Sequence, residues 1–359
     1  MNSFDKEFAK IQEEYHSFPE SNPFEMISGR DIRVVIFGAG SIGNAVAENT
    51  ELKGKLVAFC DNYKSGYNDR FHLPIISPAQ LACDYKDCVV IVAVTHRFND
   101  EIYNQVIAMG FPKTNVFRFY SELYNMDRMK RHYDGYKWAY EFFKEDISRK
   151  IVLDRIRRYL FDYEMDHSPY EEQYFEQDVI RFTDREVFVD GGCSTGDTAL
   201  EFIKRMDGRY AYIYGFEPEE ANFEKAKNDL AKYRNIELIK KGLWDKDDVM
   251  SFVSDRGASK IDGNGGESIF VTSLDNFFAD KTKEEMPTFI KLDIEGSEKR
   301  ALIGAGGIIT KIHPKLAVCV YHRAEDIYEL PRLISNFGSY QFKLRHYTKG
   351  NWETVLYAV

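Results

Sequence analysis

Runs of apolar residues, each closed by a turn and followed by a segment of helical period, recur along this chain and predict an alternation of strands and helices. The first run is IRVVIFGAGSIGNAVAENT, in which the β-branched stretch from Ile32 to Phe37 meets GAGSIG and then helix-compatible residues. LVAFCDNY reads as a second strand ending in Asp61, and CVVIVAVTH as a third, buried strand. FNDEIYNQVIAMGF predicts a helix closed by Gly110, with Pro112 beyond it. A compact α/β domain of Rossmann type is thus expected over 29–120, after an N-terminal helical segment at 1–28. From 121 to 182 the pattern changes to charged and aromatic helices, such as YKWAYEFFKEDISRKIVLDRIRRYLFDY, with no strand-like run. That stretch is expected to be a helical connector or cap.

Beyond 183 the alternation resumes and is longer. REVFVDGGCSTGDTALEFIK reads as strand, glycine turn and helix, and YAYIYGFEPEEANFEKAKNDL as strand and helix with Glu217 at the junction. NIELIKKGLWD gives a third strand, and PTFIKLDIEGSEKRALIGA and KLAVCVYHRAEDIYELPRLI are the fourth and fifth units. This order implies a parallel sheet with right-handed crossovers. FKLRHY and WETVLYAV, joined through TKGN, read instead as a closing hairpin. The expected fold class is α/β: a seven-stranded Rossmann-like methyltransferase fold over 183–359, with one antiparallel strand, preceded by the smaller Rossmann-like domain and the helical connector.

Composition narrows the function classes. At 359 residues two domains are expected, and 44% hydrophobic with 15% aromatic residues supply two cores. A net charge of −10 gives no global basic field for a nucleic-acid backbone or an anionic bilayer. No segment approaches the roughly 20 apolar residues of a membrane span, and MNSFDKEFAKIQEEY lacks a signal-peptide core. A cytoplasmic location is expected. The five cysteines show no metal-ligand spacing and read as reduced thiols, mostly in the core.

Ligands of a doubly wound sheet bind beyond the carboxyl ends of its strands. The candidate site is therefore Asp190 to Gly196, Glu217, Gly242 to Asp245, Asp293 to Glu295 and His322. Asp190 and Asp197 bracket DGGCSTGD and would repel a pyrophosphate, but would attract the cationic aminoacyl end of S-adenosylmethionine. On this reading Asp190, Gly191, Gly192, Ser194, Gly196 and Asp197 form the cofactor turn, with Gly192 and Gly196 letting the backbone approach the ligand. Glu217 is placed to accept both ribose hydroxyls, and Leu243 and Trp244 to flank adenine. Any one glycine could serve a tight turn alone; their ordered occurrence with Glu217 and Asp293 favours the cofactor.

From roughly Glu172 to Val359 the chain resembles the FkbM-family methyltransferases, through VFVDGGCSTGD, YGFEPEEANF, FIKLDIEGSE, VYHRAEDIYELP and the closing LRHY and ETVLYAV. The resemblance implies transfer of a methyl group from S-adenosylmethionine to a hydroxyl, often on a sugar of a glycolipid, surface polysaccharide or antibiotic. It makes Asp190, Gly192, Gly196 and Glu217 cofactor residues and puts Asp293 and Glu295 at the active-site edge; Cys193 departs from the small or amide residue expected there. O-methylation needs an aligned acceptor oxygen and a group to take its proton. His322, ending the fifth strand, is the first candidate base because imidazole titrates near neutrality. Glu295 is the second, with a helix cap as its alternative role, and Arg345, His346 and Tyr347 are expected to line the acceptor pocket. Asp293, Glu295 and His322 are competent metal ligands, but no tight motif such as HExxH is present and no metal is expected.

In the N-terminal domain, Gly38, Gly40 and Gly43 follow a strand and Asp61 ends the next, as in dinucleotide sites. LVAFCDNYKSG followed by HLPIISPAQL resembles the small Rossmann-like domain that precedes sugar acyltransferase domains, which implies nucleotide-sugar binding. A nucleotide-linked sugar, docking without a ligand and, ranked last, a nicotinamide cofactor stay open; His96 and Arg97 are candidate phosphate contacts. The expected function is that of an S-adenosylmethionine-dependent O-methyltransferase acting on a sugar or glycoconjugate hydroxyl. The alternative is a nucleotide-sugar or NAD(P)-binding protein, an oxidoreductase among them, whose methyltransferase-like domain is not catalytic. The expected partner is a small-molecule or glycan acceptor, with no nucleic acid and no membrane, and a homo-oligomer is compatible with the sequence.

Overall fold

β-branched and aromatic residues build the first strand, β1 (Val34–Phe37), two residues shorter than its apolar run, and all four side chains are buried. Val34 and Ile36 join one apolar cluster, with Phe59, Ile91 and Phe117, while Val35 and Phe37 join another, with Ala58, Val90 and Val92. Both faces are covered, as a parallel sheet with crossover helices requires. The other strands are β2 (Leu56–Cys60), β3 (Gly66–Asn68), β4 (Leu73–Ile76), β5 (Val89–Val92) and β6 (Val116–Arg118). They lie in the order β3-β4-β2-β1-β5-β6, parallel except for β3, which runs antiparallel along β4. The helix Pro78–Asp84 starts where proline sits in its first turn and Ser77 and Gln80 cap each other's backbone. The helix His96–Ala108 ends before Gly110, whose φ of +91° no β-carbon tolerates cheaply.

This computed structural model describes residues 3–17, 24, 27–119, 126–160, 163–253, 260–261 and 267–359. They fall into two units, one of residues 1–133, 153–165 and 349–351, the other of residues 134–152, 166–348 and 352–359. The boundary expected at 120 and 121, and parts of the segment 1–28, lie outside the described residues. No helix among the described residues is long and apolar enough to cross a membrane.

The second unit carries the seven-stranded sheet. Its strands are β7 (Val187–Gly191), β8 (Tyr212–Phe216), β9 (Ile236–Ile239), β14 (Phe289–Leu292), β15 (Lys315–Cys319), β16 (Phe342–His346) and β17 (Thr354–Ala358). Their order is β16-β17-β15-β14-β7-β8-β9, and β17 is antiparallel to both of its neighbours while the other pairings are parallel. One face is sealed by aromatic rings: Phe188 stacks on Phe289 at 4.8 Å, and Phe182 and Phe202 meet them edge-on or tilted.

Two expectations need correction here. NIELIKKGLWD is not one strand: Lys240 and Lys241 break it, and β10 (Gly242–Leu243) leaves for a second sheet with β11 (Asp248–Val253), β12 (Lys260–Ile261) and β13 (Glu267–Thr272), in the order β10-β13-β11-β12. Its small core of Ile269 and Val271, with Trp244 and Met250 against it, leaves Val249 and Phe270 exposed, so its apolar pattern is too thin to stand out in sequence. The connector is helical only as far as the helix Asp146–Leu160. From 163 to 182 the chain is irregular apart from the turn Tyr170–Glu172, and it packs Tyr174, Phe175, Val179 and Ile180 into the core of the second unit.

Candidate active site

The glycine turn after β7 is held from the neighbouring strand end. The backbone N–H groups of Gly192 and Cys193 both donate to the Phe216 carbonyl, at 3.0 and 3.1 Å. Glu217, the next residue, accepts from Ser194 N–H through Oε2 and from Glu219 N–H through Oε1, each at 2.9 Å. It is buried, and burial pushes its carboxyl up although both amides favour the charge. Ser194 itself is exposed at the tip, as is Asp197 at the start of the helix Asp197–Arg205.

The glycines do different work from that expected. A β-carbon on Gly192 would overlap the carbonyl oxygen of Asp293, and one on Gly191 would strike Leu243 and Leu292. One on Gly196 would crowd Leu230 and Ala226. Protein atoms, rather than space for a ligand, therefore select glycine at all three positions. Asp190 is not offered to the surface either. It is fully buried and its Oδ1 receives Lys291 Nζ at 3.0 Å, while the same ammonium donates to Gly192 O at 2.8 Å. Burial opposes the charge on Lys291, but Asp190 and Asp293 hold its pKa above the ordinary value. Asp190 Oδ2 has no hydrogen-bond partner.

Beyond β14 and β15 lies an acidic cluster. Asp293 accepts from Tyr174 Oη at 2.8 Å and from Tyr321 Oη at 3.1 Å. Burial disfavours its charge, yet Lys291, His322 and the Tyr174 hydroxyl keep its carboxyl below the usual range. His322 Nε2 lies 3.5 Å from Asp293 and 3.3 Å from Glu295, and Nδ1 lies 2.9 Å from Glu298 Oε1. None of these approaches is an aligned hydrogen bond. Burial alone would lower the pKa of His322, but Glu298, Glu295 and Asp293 raise it well above the ordinary histidine value. Three carboxylates, those of Asp293, Glu295 and Glu298, thus surround the ring expected to serve as base. Glu295 does not cap the following helix: it stands at φ +56°, and Glu298 takes the Ile294 N–H instead, at 2.9 Å.

Glu298, Lys291, Tyr174, Tyr321 and Glu353 belong to this site and were missed. Glu298 and Lys291 stand inside FIKLDIEGSE, where their flanking of Asp293 was a usable signal. Tyr174 comes from the irregular segment and Glu353 from the hairpin, and neither had a local cue. Glu353 is hydrogen-bonded by Gln173, and burial and Asp293 push its carboxyl up to about 7. Tyr174, Ser194, Glu295 and Glu353 all have left-handed backbone, φ +66°, +45°, +56° and +60°. Such strain in non-glycine residues concentrates at functional sites.

Other expected residues lie elsewhere or face inward. Arg345 is buried against Glu145 and, at 3.0 Å, Asp178. His346 Nδ1 meets Thr354 Oγ1 at 2.8 Å, and Tyr347 Oη donates to Glu176 at 2.9 Å and meets Tyr357 Oη at 2.6 Å. All three are interior side chains with internal partners, which corrects their placement in an acceptor pocket. Leu243 is buried under Gly191, and the Trp244 ring packs in the small sheet with Arg300 over it, so in this structure their apolar surface serves packing. In the first unit Asp61 accepts from Ala39 N–H at 2.9 Å and from Tyr63 and Lys64 N–H at 2.9 and 3.1 Å. Gly38 and Gly43 are fixed by close backbone approach, whereas a β-carbon on Gly40 would meet open space. The side chains of His96 and Arg97 lie outside the described residues.

A seven-stranded sheet with β17 reversed, a glycine turn tied to an acid after the next strand, and an acid ending the fourth are the marks of a Rossmann-like methyltransferase. Residues 190–344 match the family model described as Methyltransferase FkbM domain. Along its length it is similar to Methyltransferase FkbM from Methylobacillus flagellatus KT, at 26% identity with 99% of each chain covered and a TM-score of 0.72. Two further similarities are slight and carry no weight. Precorrin-6y C5,15-methyltransferase from Geobacter metallireducens GS-15 is 12% identical over 50% of this chain and 82% of that one, with a TM-score of 0.32. Fibrillarin from Aeropyrum pernix, solved with natively bound S-adenosyl-L-methionine, is 12% identical over 51% and 71%, with a TM-score of 0.33. No curated protein sequence matches the chain.

Proposed function

We propose that the second unit is an S-adenosylmethionine-dependent O-methyltransferase acting on a hydroxyl of a sugar or glycoconjugate. The observation that carries this reading is the Glu217 carboxylate, presented at the end of β8 and fastened by backbone amides to the turn that follows β7. Each of its oxygens retains a lone pair, which suits the two ribose hydroxyls. The exposed Asp197 suits the ammonium of the aminoacyl end. S-adenosylmethionine supplies, when bound, a methyl group on a positively charged sulfur. Asp293, its oxygens oriented by two tyrosine hydroxyls, is placed to hold an acceptor hydroxyl. Glu295, with 40% of its side chain exposed, is the cluster's accessible carboxylate and takes the proton.

The test is calorimetric titration with S-adenosylmethionine together with transfer of a labelled methyl group to a panel of glycosides. Glu217→Ala removes charge-assisted acceptors worth roughly 1.5–3 kcal/mol, so affinity falls about 10- to 100-fold while the protein still folds. Unchanged affinity in that variant would sink the placement. Label appearing on nitrogen or carbon acceptors and on no hydroxyl would overturn the acceptor class.

We also propose, as a second reading, that the first unit binds a nucleotide-linked ligand. One observation favours it: Asp61 fastens the GAGSIG turn through Ala39 N–H as Glu217 fastens the other turn through Ser194 N–H, and Gly40 beside it faces open space.

A further inference from the structure

Asp293 follows β14, Glu298 begins the helix Glu298–Ile303, and His322 lies just beyond β15, so three elements of the second unit bring one donor atom each to within 4.8 Å of the others. The His322 side chain is only 9% exposed, yet neither ring nitrogen has a hydrogen-bond partner. Oε2 of Glu298, on a side chain 1% exposed, also has none. An unsatisfied buried polar atom costs about 1–3 kcal/mol, and one ring nitrogen of His322 together with Glu298 and Asp293 offers lone pairs close enough for one acceptor to take. Asp326, buried beside this cluster, adds a fourth carboxyl.

We propose that Asp293, Glu298 and His322 bind a divalent cation of the first transition row. Two carboxylates balance its charge, and the donor spacing is near what metal–ligand bonds of about 2.0–2.2 Å permit. The imidazole selects against magnesium and calcium, and the absence of a thiolate in this set selects against soft ions. Manganese(II), iron(II) and zinc(II) suit the mixed oxygen and nitrogen donors. Three protein ligands leave coordination positions open to the oxygen atoms of a small molecule. A second triad, Asp293, Cys319 and Glu353, shares Asp293. There the Cys319 thiol already meets Tyr174 Oη at 3.5 Å and Glu353 is held by Gln173, so its donors are engaged. The site stands independently of methyl transfer: a cation can bind whether or not the second unit moves a methyl group.

The experiment is a manganese(II) titration of the full chain after chelator treatment, followed by electron paramagnetic resonance. One ion per chain is expected to disappear from the free-ion signal, and the bound ion is expected to show nitrogen coupling from the His322 ring. Glu298→Gln and His322→Gln should each weaken binding by more than about tenfold, and Glu353→Gln should leave it unchanged. No uptake at millimolar manganese, bound ion without nitrogen coupling, or weakening confined to Glu353→Gln would each overturn the assignment. The coupling is read on the parent protein, so the test does not depend on the variants folding.

Discussion

The same residue types act differently according to the charges that burial forces on them. His322 is a strand-end histidine whose burial alone would lower its pKa, and Glu298, Glu295 and Asp293 raise it instead. Glu186 shows the opposite arrangement away from the site. Its side chain is 1% exposed and accepts from Lys315 Nζ at 2.5 Å, from the Thr288 hydroxyl and from Thr183 N–H at 2.8 Å. Burial works against its charge, but these partners bring its carboxyl below the usual value. A depressed carboxyl pKa contributes stability that is present above the unfolded value of about 4.3 and is lost as pH falls through the folded value. Glu186→Gln is therefore expected to cost about 1–3 kcal/mol near neutrality, and the gap between variant and parent should close as pH falls below about 4. Urea unfolding at several pH values measures it; a gap independent of pH would show that the charge contributes nothing.

At the scale of elements, strand ends and turns are locked to one another rather than merely adjacent. The turn after β7 has to pass so close to the backbone following β14 that Gly192, at φ +72°, has no room for a side chain beside the Asp293 carbonyl. Gly208 has nearly the same φ, +70°, but a β-carbon added there would find nothing within 4 Å. Gly208→Ala should cost only the backbone preference, about 1 kcal/mol, and Gly192→Ala that plus the displacement of β14, about 3 kcal/mol or more. Equal shifts of the urea midpoint in the two variants would show that close approach is not what selects glycine at 192. The inserted sheet carries the same lesson in another form. Lys240 and Lys241 end β9 in the middle of an apolar run, and β10 finds its partner in β13, a distant segment that no local pattern announces.

Across the whole molecule, the six-stranded and the seven-stranded sheet repeat one device: an acid after the second strand of each, Asp61 and Glu217, fastens the glycine turn after the first. Because each device is complete within its own unit, Asp61→Asn should leave S-adenosylmethionine affinity within about twofold of the parent, as expected for independent sites, in contrast to Glu217→Ala. A large loss of affinity in Asp61→Asn would mean that the cofactor binds at the first turn. Sequence by itself determined the alternation of strands and helices, the reversed strand in the closing hairpin, both glycine turns and the strand-end acids, since each rests on local periodicity or on turn chemistry within a few residues. Tertiary structure alone decided which strand ends meet. That put Tyr174 and Glu353 beside Asp293, turned Arg345, His346 and Tyr347 inward, and surrounded His322 with carboxylates. The physical reason is that side-chain burial and charge depend on neighbours far apart in the chain, and those neighbours set what a residue can do.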